Sequence, residues 1–240
     1  MNSKSKIKIL VVDDSDIILK LLRGYFKSYG VKIITSINGL EGIKKAIEVK
    51  PDLILLDLLM PNFDGIKMLQ VVKLLDELKN IPVIVISGNT AKTNVFSAIE
   101  AGAERVLAKP LKKDLLISAV ENILGKSLTL ELNNNAINNL EDDEELAEQL
   151  RKLFVENFKK EKYSLNAALQ KKEEATLRQF AHNAKTVGQS IGYPQLQKIT
   201  SEIESLLNEN EINWKIIKIK YNQVFAIVKD IENALVVWEK

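Results

Sequence analysis

The sequence predicts two domains, an α/β domain with a doubly wound parallel sheet and, after it, an all-α domain. In the first half, five short apolar runs alternate with amphipathic helices, and strand patterning stops after Gly125. Helical periodicity then continues towards the end of the chain. A length of 240 residues is compatible with one domain or with two, so the change of pattern is what divides the chain.

The five apolar runs are expected to be strands of a buried parallel sheet. They are mostly apolar on both faces, which is typical of strands that helices cover on both sides. Glycine and proline residues punctuate the joins, so the pattern predicts five βα units. The strands are predicted at residues 7–12, 31–35, 53–56, 83–86 and 105–108, and the helices are expected to begin after Ser15, Gly39, Asp64, Thr90 and Lys112.

Composition argues against several classes of function. Lys and Arg number 34 against 32 Asp and Glu, so no basic face indicates nucleic-acid binding. The absence of cysteine excludes disulfides and thiolate metal sites. The pattern of a signal peptide is missing, and no apolar run reaches the roughly 18 residues of a membrane span. We therefore expect a cytoplasmic protein with neither nucleic acid nor membrane among its partners.

Polar side chains stand at the ends of four predicted strands. Asp13 and Asp14 close the first strand, and Asp57 closes the third. Ser87 and Lys109 close the fourth and the fifth. Ligands of doubly wound sheets bind beyond the carboxyl ends of the strands. The five side chains are therefore expected to form one site.

Three carboxylates at one site favour a hard divalent cation, because they repel one another when all are ionised. Magnesium takes few carboxylates together with water and phosphate oxygens. We expect its ligands to be Asp13, Asp14, Asp57 and the backbone carbonyl of Leu59. As the central acid, Asp57 is the expected nucleophile. The magnesium ion, the Ser87 hydroxyl and the Lys109 ammonium would stabilise the equatorial phosphoryl oxygens during in-line transfer.

Four strings carry these residues: VVDDS, DLLMPNFDG, VISG and AGAERVLAKP. Through them, residues 5 to about 125 resemble the receiver domain of two-component response regulators. The resemblance implies a flavodoxin-like strand order, phosphorylation of Asp57 and a sensor histidine kinase or another phosphotransfer protein upstream. The last strand departs from the family, because Val106 stands where Tyr or Phe is usual and leaves no aromatic rotamer switch. Leu59, two residues past Asp57, is expected either to limit water access or to pack against its loop.

A polar connection follows the α/β domain. It is rich in asparagine and then acidic from Glu141 to Glu145. The apolar residues of 124–132 are compatible with an extension of the preceding helix, so a stiff and a loose connector both remain open. We predict domains at 1–125 and 143–240, joined by a linker at 126–142.

The second domain is predicted to be an antiparallel four-helix bundle. Apolar residues recur at steps of three and four, most clearly from Trp214 to Trp238. The third-to-last helix carries His182, the only histidine, on a polar stripe beside an apolar one. We therefore expect His182 to face water. The apolar stripe consists of Leu177, Ala181, Ala184, Val187 and Ile191.

Further residues accompany His182 in a short pattern. They are Lys185, Gly188, Ile191 and Gly192 in the same helix, and Phe154 and Phe158 in the preceding one. Through this pattern, residues 143–240 resemble a histidine phosphotransfer domain, which implies phosphate carried on His182. The ammonium of Lys185, one turn along, is expected to pair with that phosphoryl group. Thr186 departs from the glycine or small residue common in the family, and its β-branch is expected to hinder a docking receiver.

Together these expectations describe a phosphorelay protein, not an enzyme, that accepts phosphate on Asp57 and carries it on His182. A receiver domain of another regulator is the candidate downstream partner. In one alternative the bundle is inert to phosphate and serves as a binding module. In another, both sites are phosphorylated without internal exchange. A third, a magnesium-dependent phosphohydrolase, uses a similar residue set but usually places its nucleophile after the first strand, where this chain has the acid pair.

Overall fold

The structure is a computed structural model that describes residues 6–60, 65–88, 92–130 and 139–238. In the last range, side chains are described from residue 144 to residue 235. The chain divides into two compact units, Met1–Ala136 and Ile137–Lys240.

The first unit is built on five parallel strands. They are β1 (Ile7–Val12), β2 (Val31–Ser36), β3 (Leu53–Asp57), β4 (Val83–Ser87) and β5 (Arg105–Ala108). Their order in the sheet is β2-β1-β3-β4-β5. This is the doubly wound, flavodoxin-like arrangement that the sequence predicts, with the switch point beside β1 and β3.

Five helices alternate with these strands. They are α1 (Asp16–Tyr25), α2 (Gly39–Val49), α3 (Gly65–Leu74), α4 (Lys92–Glu100) and α5 (Lys113–Leu124). The predicted starts of α1, α3 and α5 are confirmed, whereas Thr90, predicted to precede α4, lies outside the described residues. Helix α2 begins one residue early, because Asn38 caps it by accepting a hydrogen bond from the Glu41 amide at 2.9 Å.

The core of the first unit lies along its central strands. Every residue of β3 and β4 is buried, as is the second half of β1. Apolar burial on both faces holds these strands in the core, where they run parallel to one another. The residues at the carboxyl ends of β1, β3 and β4 therefore lie at one edge of the sheet.

The chain turns away from helical geometry directly after α5. Gly125 adopts a left-handed conformation with φ of 64°, which ends the helix after Leu124. Leu128 is buried, and the amide of Gly30 donates to the carbonyl of Thr129 at 3.0 Å. Residues 126–130 therefore do not extend α5, so a stiff helical continuation is absent from this described part of the connection.

The second unit contains four long helices. They are α6 (Asn139–Lys171), α7 (Glu174–Gly188), α8 (Pro194–Leu206) and α9 (Trp214–Trp238). Helix α6 packs against α7 and α9, and α8 also packs against α7 and α9. Helices α6 and α9 are antiparallel, because Lys159 pairs with Glu232 at 2.6 Å while Lys172 lies over the ring of Trp214. None of the described helices is both long and apolar enough to cross a membrane.

Helices α7 and α8 approach each other closely at Gly188. A β-carbon at this position would lie 2.8 Å from the backbone nitrogen of Gln197 and 3.2 Å from the carbonyl oxygen of Tyr193. Both neighbours are backbone atoms, so they cannot yield by a side-chain rotation. The glycine is therefore required by packing between the two helices.

We expect Gly188→Ala to destabilise the second unit. The overlap should cost about 1–3 kcal/mol, which exceeds the roughly 0.5–1 kcal/mol that alanine gains in a helix. Both tryptophans lie in α9, so urea unfolding followed by tryptophan fluorescence reports on this unit within the full chain. The exposed Gln223→Ala variant is the control and should stay within about 0.5 kcal/mol of the wild type. An unchanged transition in Gly188→Ala would refute the packing role.

Candidate functional site

Three carboxylates meet at the carboxyl edge of the sheet. Val12 of β1 is paired with Leu56 of β3, so the residues that follow them emerge side by side. One oxygen from each of Asp13, Asp14 and Asp57 lies within 4.8 Å of the others. The acidic cluster predicted from the strand ends is therefore assembled in the structure.

Lys109 joins two of these carboxylates. Its ammonium lies 3.0 Å from Oδ2 of Asp13 and 2.8 Å from Oδ2 of Asp57. All three side chains are buried, so these ion pairs are shielded from solvent. The Lys109 backbone amide donates to the carbonyl of Ser87 at 2.9 Å, which anchors the loop after β5 to the end of β4.

Ser87 and Leu59 border the same cluster. Ser87 is buried at the end of β4, one residue past the partner of Asp57 in the sheet register. The amide of Leu59 donates to Oδ1 of Asp57 at 3.2 Å, whereas 45% of Leu59 is exposed. Leu59 is thus only partly covered, and both its packing against the loop and its effect on water access stay predictions. Val106 is half-buried in β5, at the position where the sequence lacks the aromatic residue.

Burial and charge shape the electrostatics of the cluster. Burial raises the pKa of Asp13 to about 7; the Lys109 ammonium opposes this shift, and the charge of Asp57 adds to it. Burial alone would lower the pKa of Lys109, but the charges of Asp13 and Asp57 outweigh it and hold that pKa above its ordinary range. Lys109 is therefore charged at neutral pH.

The cluster suits a small divalent cation. Magnesium binds oxygen at about 2.0–2.1 Å, so its ligand oxygens lie no more than about 4.2 Å apart across an octahedron. The spacing within 4.8 Å needs only a small adjustment to reach that limit. When all three carboxylates are ionised, they and the ammonium carry two net negative charges, which a divalent ion balances. Asp13, Asp14 and Asp57 are thus able to hold Mg²⁺, while the ligand role of the Leu59 carbonyl stays a prediction.

His182 is buried, which corrects the expectation that it faces water. Only 4% of the residue is exposed. Its Nδ1 lies 3.0 Å from Oε1 of Glu204 in α8, and the ammonium of Lys185 lies 2.6 Å from Oε2 of the same carboxylate. Periodicity identified the polar stripe of α7 correctly, but it gave no means of knowing that α8 covers that stripe.

The two ring nitrogens of His182 have different surroundings. Nδ1 contacts Glu204, whereas Nε2 is buried without a hydrogen-bond partner among the residues that the structure describes. Lys185 is bound to Glu204, so it is already paired before any phosphoryl group arrives. Glu204 is the functional candidate that sequence reasoning missed. Its only signal was an acidic residue beside the apolar stripe of α8.

Thr186 also differs from expectation. Its side chain is buried, and its hydroxyl donates to the carbonyl of His182 at 3.0 Å. The β-branch therefore lies inside the packed helices and is not on a surface that would hinder a docking domain. The expectation of a steric obstacle at Thr186 is wrong.

Glu204 is held in its ionised form. Burial alone would raise its pKa, but hydrogen bonds from His182 and Lys185 and the charge of Lys185 outweigh burial and lower the pKa below 4.5. At neutral pH Glu204 is therefore an ionised carboxylate that lies between the imidazole of His182 and the ammonium of Lys185.

Comparison with known proteins finds similarity in the first half of the chain. Residues 9–121 match the model of the response regulator receiver domain family. The polar-differentiation response regulator DivK of Brucella anthropi is 32% identical over 117 residues, which cover 49% of this chain and 95% of DivK. The transcriptional regulatory protein PrrA of Mycobacterium leprae is 36% identical over 121 residues, or 50% of this chain and 51% of PrrA.

Two further proteins show the same extent of similarity. The sensor histidine kinase CheAY of Helicobacter pylori is 31% identical over 122 residues, which cover 50% of this chain and 15% of CheAY. The crystal structure of a putative response regulator from Chloroflexus aurantiacus is 26% identical, with a TM-score of 0.49, and the match covers 51% of this chain and 100% of that one. The chain thus spans nearly all of DivK but about half of PrrA.

We expect Asp13→Asn to weaken Mg²⁺ binding by roughly ten-fold or more, because it removes one of three ligand charges. Isothermal titration calorimetry with MgCl₂ measures the affinity. Asp52→Asn is a matched control, since Asp52 lies at the opposite edge of the sheet and accepts a hydrogen bond from the Lys8 amide at 2.7 Å. Equal Mg²⁺ affinities in the wild type and Asp13→Asn would exclude this metal site.

We expect Glu204→Gln to destabilise the second unit in a pH-dependent way. The folded pKa of Glu204 is lowered, so its contribution is fully present above 4.5 and is lost as pH falls through the folded value. Near pH 7 the variant should lose about 1 kcal/mol of unfolding free energy, allowing for partial exposure. Tryptophan-monitored urea unfolding at pH 7 and pH 3.5, with exposed Glu209→Gln as the control, measures this difference. A loss that persists unchanged at the lower pH would contradict the ionised bridge.

Proposed function

We propose that this chain, which belongs to the response regulator receiver family, is a phosphorelay protein that accepts phosphate on Asp57 and carries phosphate on His182. Receiver domains of two-component signalling accept phosphate on an aspartate, bind Mg²⁺ at an acidic pocket and interact with histidine kinases and phosphotransfer proteins. The observation that carries the proposal is the position of Asp57, buried beside the acid pair and bound by Lys109 at 2.8 Å.

Asp57 is the proposed nucleophile of the first site. One of its carboxylate oxygens attacks the phosphorus of a phosphohistidine donor, the nitrogen–phosphorus bond breaks, and the donor imidazole leaves. When bound, Mg²⁺ supplies positive charge to the phosphoryl oxygens. The Lys109 ammonium lies at the carboxylate, and Ser87 ends the neighbouring strand; we propose that both side chains contact those oxygens.

His182 is the proposed acceptor of the second site. A carboxylate at Nδ1 favours the tautomer that carries its proton there, which leaves the lone pair on Nε2. Nε2 then attacks the phosphorus of an acyl phosphate, and the aspartate carboxylate leaves. Glu204 holds the ring in place during this step, so we assign it a positioning role.

The proposal also covers the fold of the second unit, the location of the protein and its partners. We take the second unit to be an antiparallel four-helix bundle that acts as a histidine phosphotransfer domain. We propose a cytoplasmic signalling protein that is not an enzyme and has no nucleic-acid or membrane partner. A sensor histidine kinase or phosphotransfer protein lies upstream, and the receiver of another regulator lies downstream.

The burial of His182 favours one second candidate. An imidazole that is 4% exposed is also what a helical binding module without phosphotransfer activity would contain. In that case Glu204 and Lys185 would only stabilise the packing of α7 against α8. Chemical identification of phosphohistidine separates the two functions.

We expect Asp57→Ala to abolish base-labile labelling by radioactive acetyl phosphate with Mg²⁺, because the nucleophile is lost while core volume is kept. Asp52→Ala, at the other edge of the sheet, should be labelled like the wild type.

Phosphorylated His182→Ala protein is then mixed with Asp57→Ala protein. Acid-labile, base-stable label should appear on the Asp57→Ala protein. Asn183→Ala changes the neighbouring residue of the same helix and is the control, so it should leave this transfer unchanged.

Three outcomes would contradict this proposal. Base-labile label retained in Asp57→Ala would place the first acceptor elsewhere. Transfer to the double variant Asp57→Ala, His182→Ala would exclude His182 as the second acceptor. If wild-type protein shows aspartyl phosphate but no phosphohistidine from any receiver donor, the binding-module function replaces the relay.

A further inference from the structure

We infer that Lys185 and Glu204 form a latch that keeps Nε2 of His182 covered until an anionic phosphoryl group draws the Lys185 ammonium away. The inference rests on the proposed phosphotransfer role of His182 and adds a means of regulating that site. It concerns only residues of α7 and α8, which pack directly against each other.

One carboxylate holds both partners, each through a different oxygen. Oε1 of Glu204 contacts His182 and Oε2 contacts Lys185. The side chains of Lys185 and Glu204 are 19% and 18% exposed, whereas that of His182 is 6% exposed. The charged pair therefore lies on the outer side of the imidazole. Loss of the Lys185 contact leaves the His182 contact intact, because the two oxygens are separate.

The path of the Lys185 side chain explains how the latch covers the ring. Lys185 lies three residues after His182, so the two side chains are neighbours on one face of α7. The ammonium reaches a carboxylate that is itself bound to the imidazole. In the proposed closed state the apolar stem of the lysine runs beside the ring. Such a stem shields Nε2 without offering it a hydrogen bond, in agreement with the unpaired and buried state of this atom.

Separation of the helices is a costly way to expose Nε2. The backbones of α7 and α8 meet at Gly188, where there is no room even for a β-carbon. Direct packing of α7 against α8 holds the same interface. Movement of one partly exposed lysine side chain breaks its ion pair with Glu204 but leaves the helix backbones in place, so it is the less costly route.

A phosphoryl group supplies the force that opens the latch. Its oxygens carry more negative charge than the single carboxylate of Glu204, so they compete for the Lys185 ammonium. Release of the ammonium uncovers Nε2 and brings positive charge to the group in transfer. Glu204 meanwhile keeps its contact with Nδ1, so the ring retains its orientation. The anion thereby favours the open state through its own binding energy.

Because His182 is the only histidine, diethyl pyrocarbonate modification followed by ultraviolet absorbance reports on it alone. Lys185→Met keeps a stem of similar length but removes the ion pair, and we expect modification to become roughly five-fold faster as the closed state is lost. Glu204→Gln weakens the same ion pair and should also accelerate modification. Lys198→Met, an exposed lysine of α8, is the matched control and should react like the wild type. Tryptophan fluorescence checks that each variant is folded.

Phosphotransfer measured on the same proteins tests the role of the anion. The donor is phosphorylated His182→Ala protein, and each acceptor also carries Asp57→Ala. Lys185→Met should accept phosphate at least about five-fold more slowly than its parent, although its imidazole is more reactive towards the reagent, since the charge compensation is lost. These opposite changes are not expected from general loosening of the fold.

The outcomes separate the latch from the proposed function. Equal modification rates in the wild type and Lys185→Met would overturn the latch, even if His182 accepts phosphate. Faster modification with an unchanged transfer rate would overturn the displacement of Lys185 by the phosphoryl group. Faster modification in a protein that never forms phosphohistidine would refute the proposed relay while retaining the shielding of Nε2.

Discussion

The ion pairs of Lys109 with Asp13 and Asp57 are the interaction on which the first unit depends. They connect the loop after β5 to the ends of β1 and β3 through buried contacts of 3.0 and 2.8 Å. Removing Lys109 would leave two buried carboxylates without a counter-charge, which is far more costly than losing an exposed ion pair. The same contacts leave the cluster with an excess of negative charge, so that stability and cation binding draw on one set of side chains.

Much of this first unit is predictable because its determinants are local. Five apolar runs alternating with helices predict a doubly wound sheet, and the resemblance to receiver domains implies its strand order. Polar residues such as Asp57 and Ser87 fall where buried runs end. The register of a parallel sheet then brings neighbouring strand ends together, as with Val12 and Leu56. Helix α2 begins at Gly39, one residue before the predicted start, because the side chain of Asn38 caps it. Hydrophobic periodicity does not resolve such a cap, since the cap depends on side-chain geometry.

The second unit shows where local pattern ceases to be sufficient. Periodicity separates the stripe of Ala181 from that of His182, but the packing of α8 decides whether the second stripe meets water. Glu204 is 22 residues from His182 in the chain, and only the crossing of two helices brings them together. A similar argument applies to Thr186, whose hydroxyl is satisfied within its own helix once it is buried. In each case the missing information is a contact between helices.

The short return of the chain after α5 gives the first unit a polarity. Thr129 binds the amide of Gly30, just before β2 begins, whereas Asp57 stands where β3 ends. In a parallel sheet these positions belong to opposite poles. The described chain up to residue 130 therefore lies at the pole remote from the acidic cluster, and residues 126–130 occupy none of the approach to Asp57. The return of the chain after α5 and a partner that reaches Asp57 thus use different ends of the same sheet.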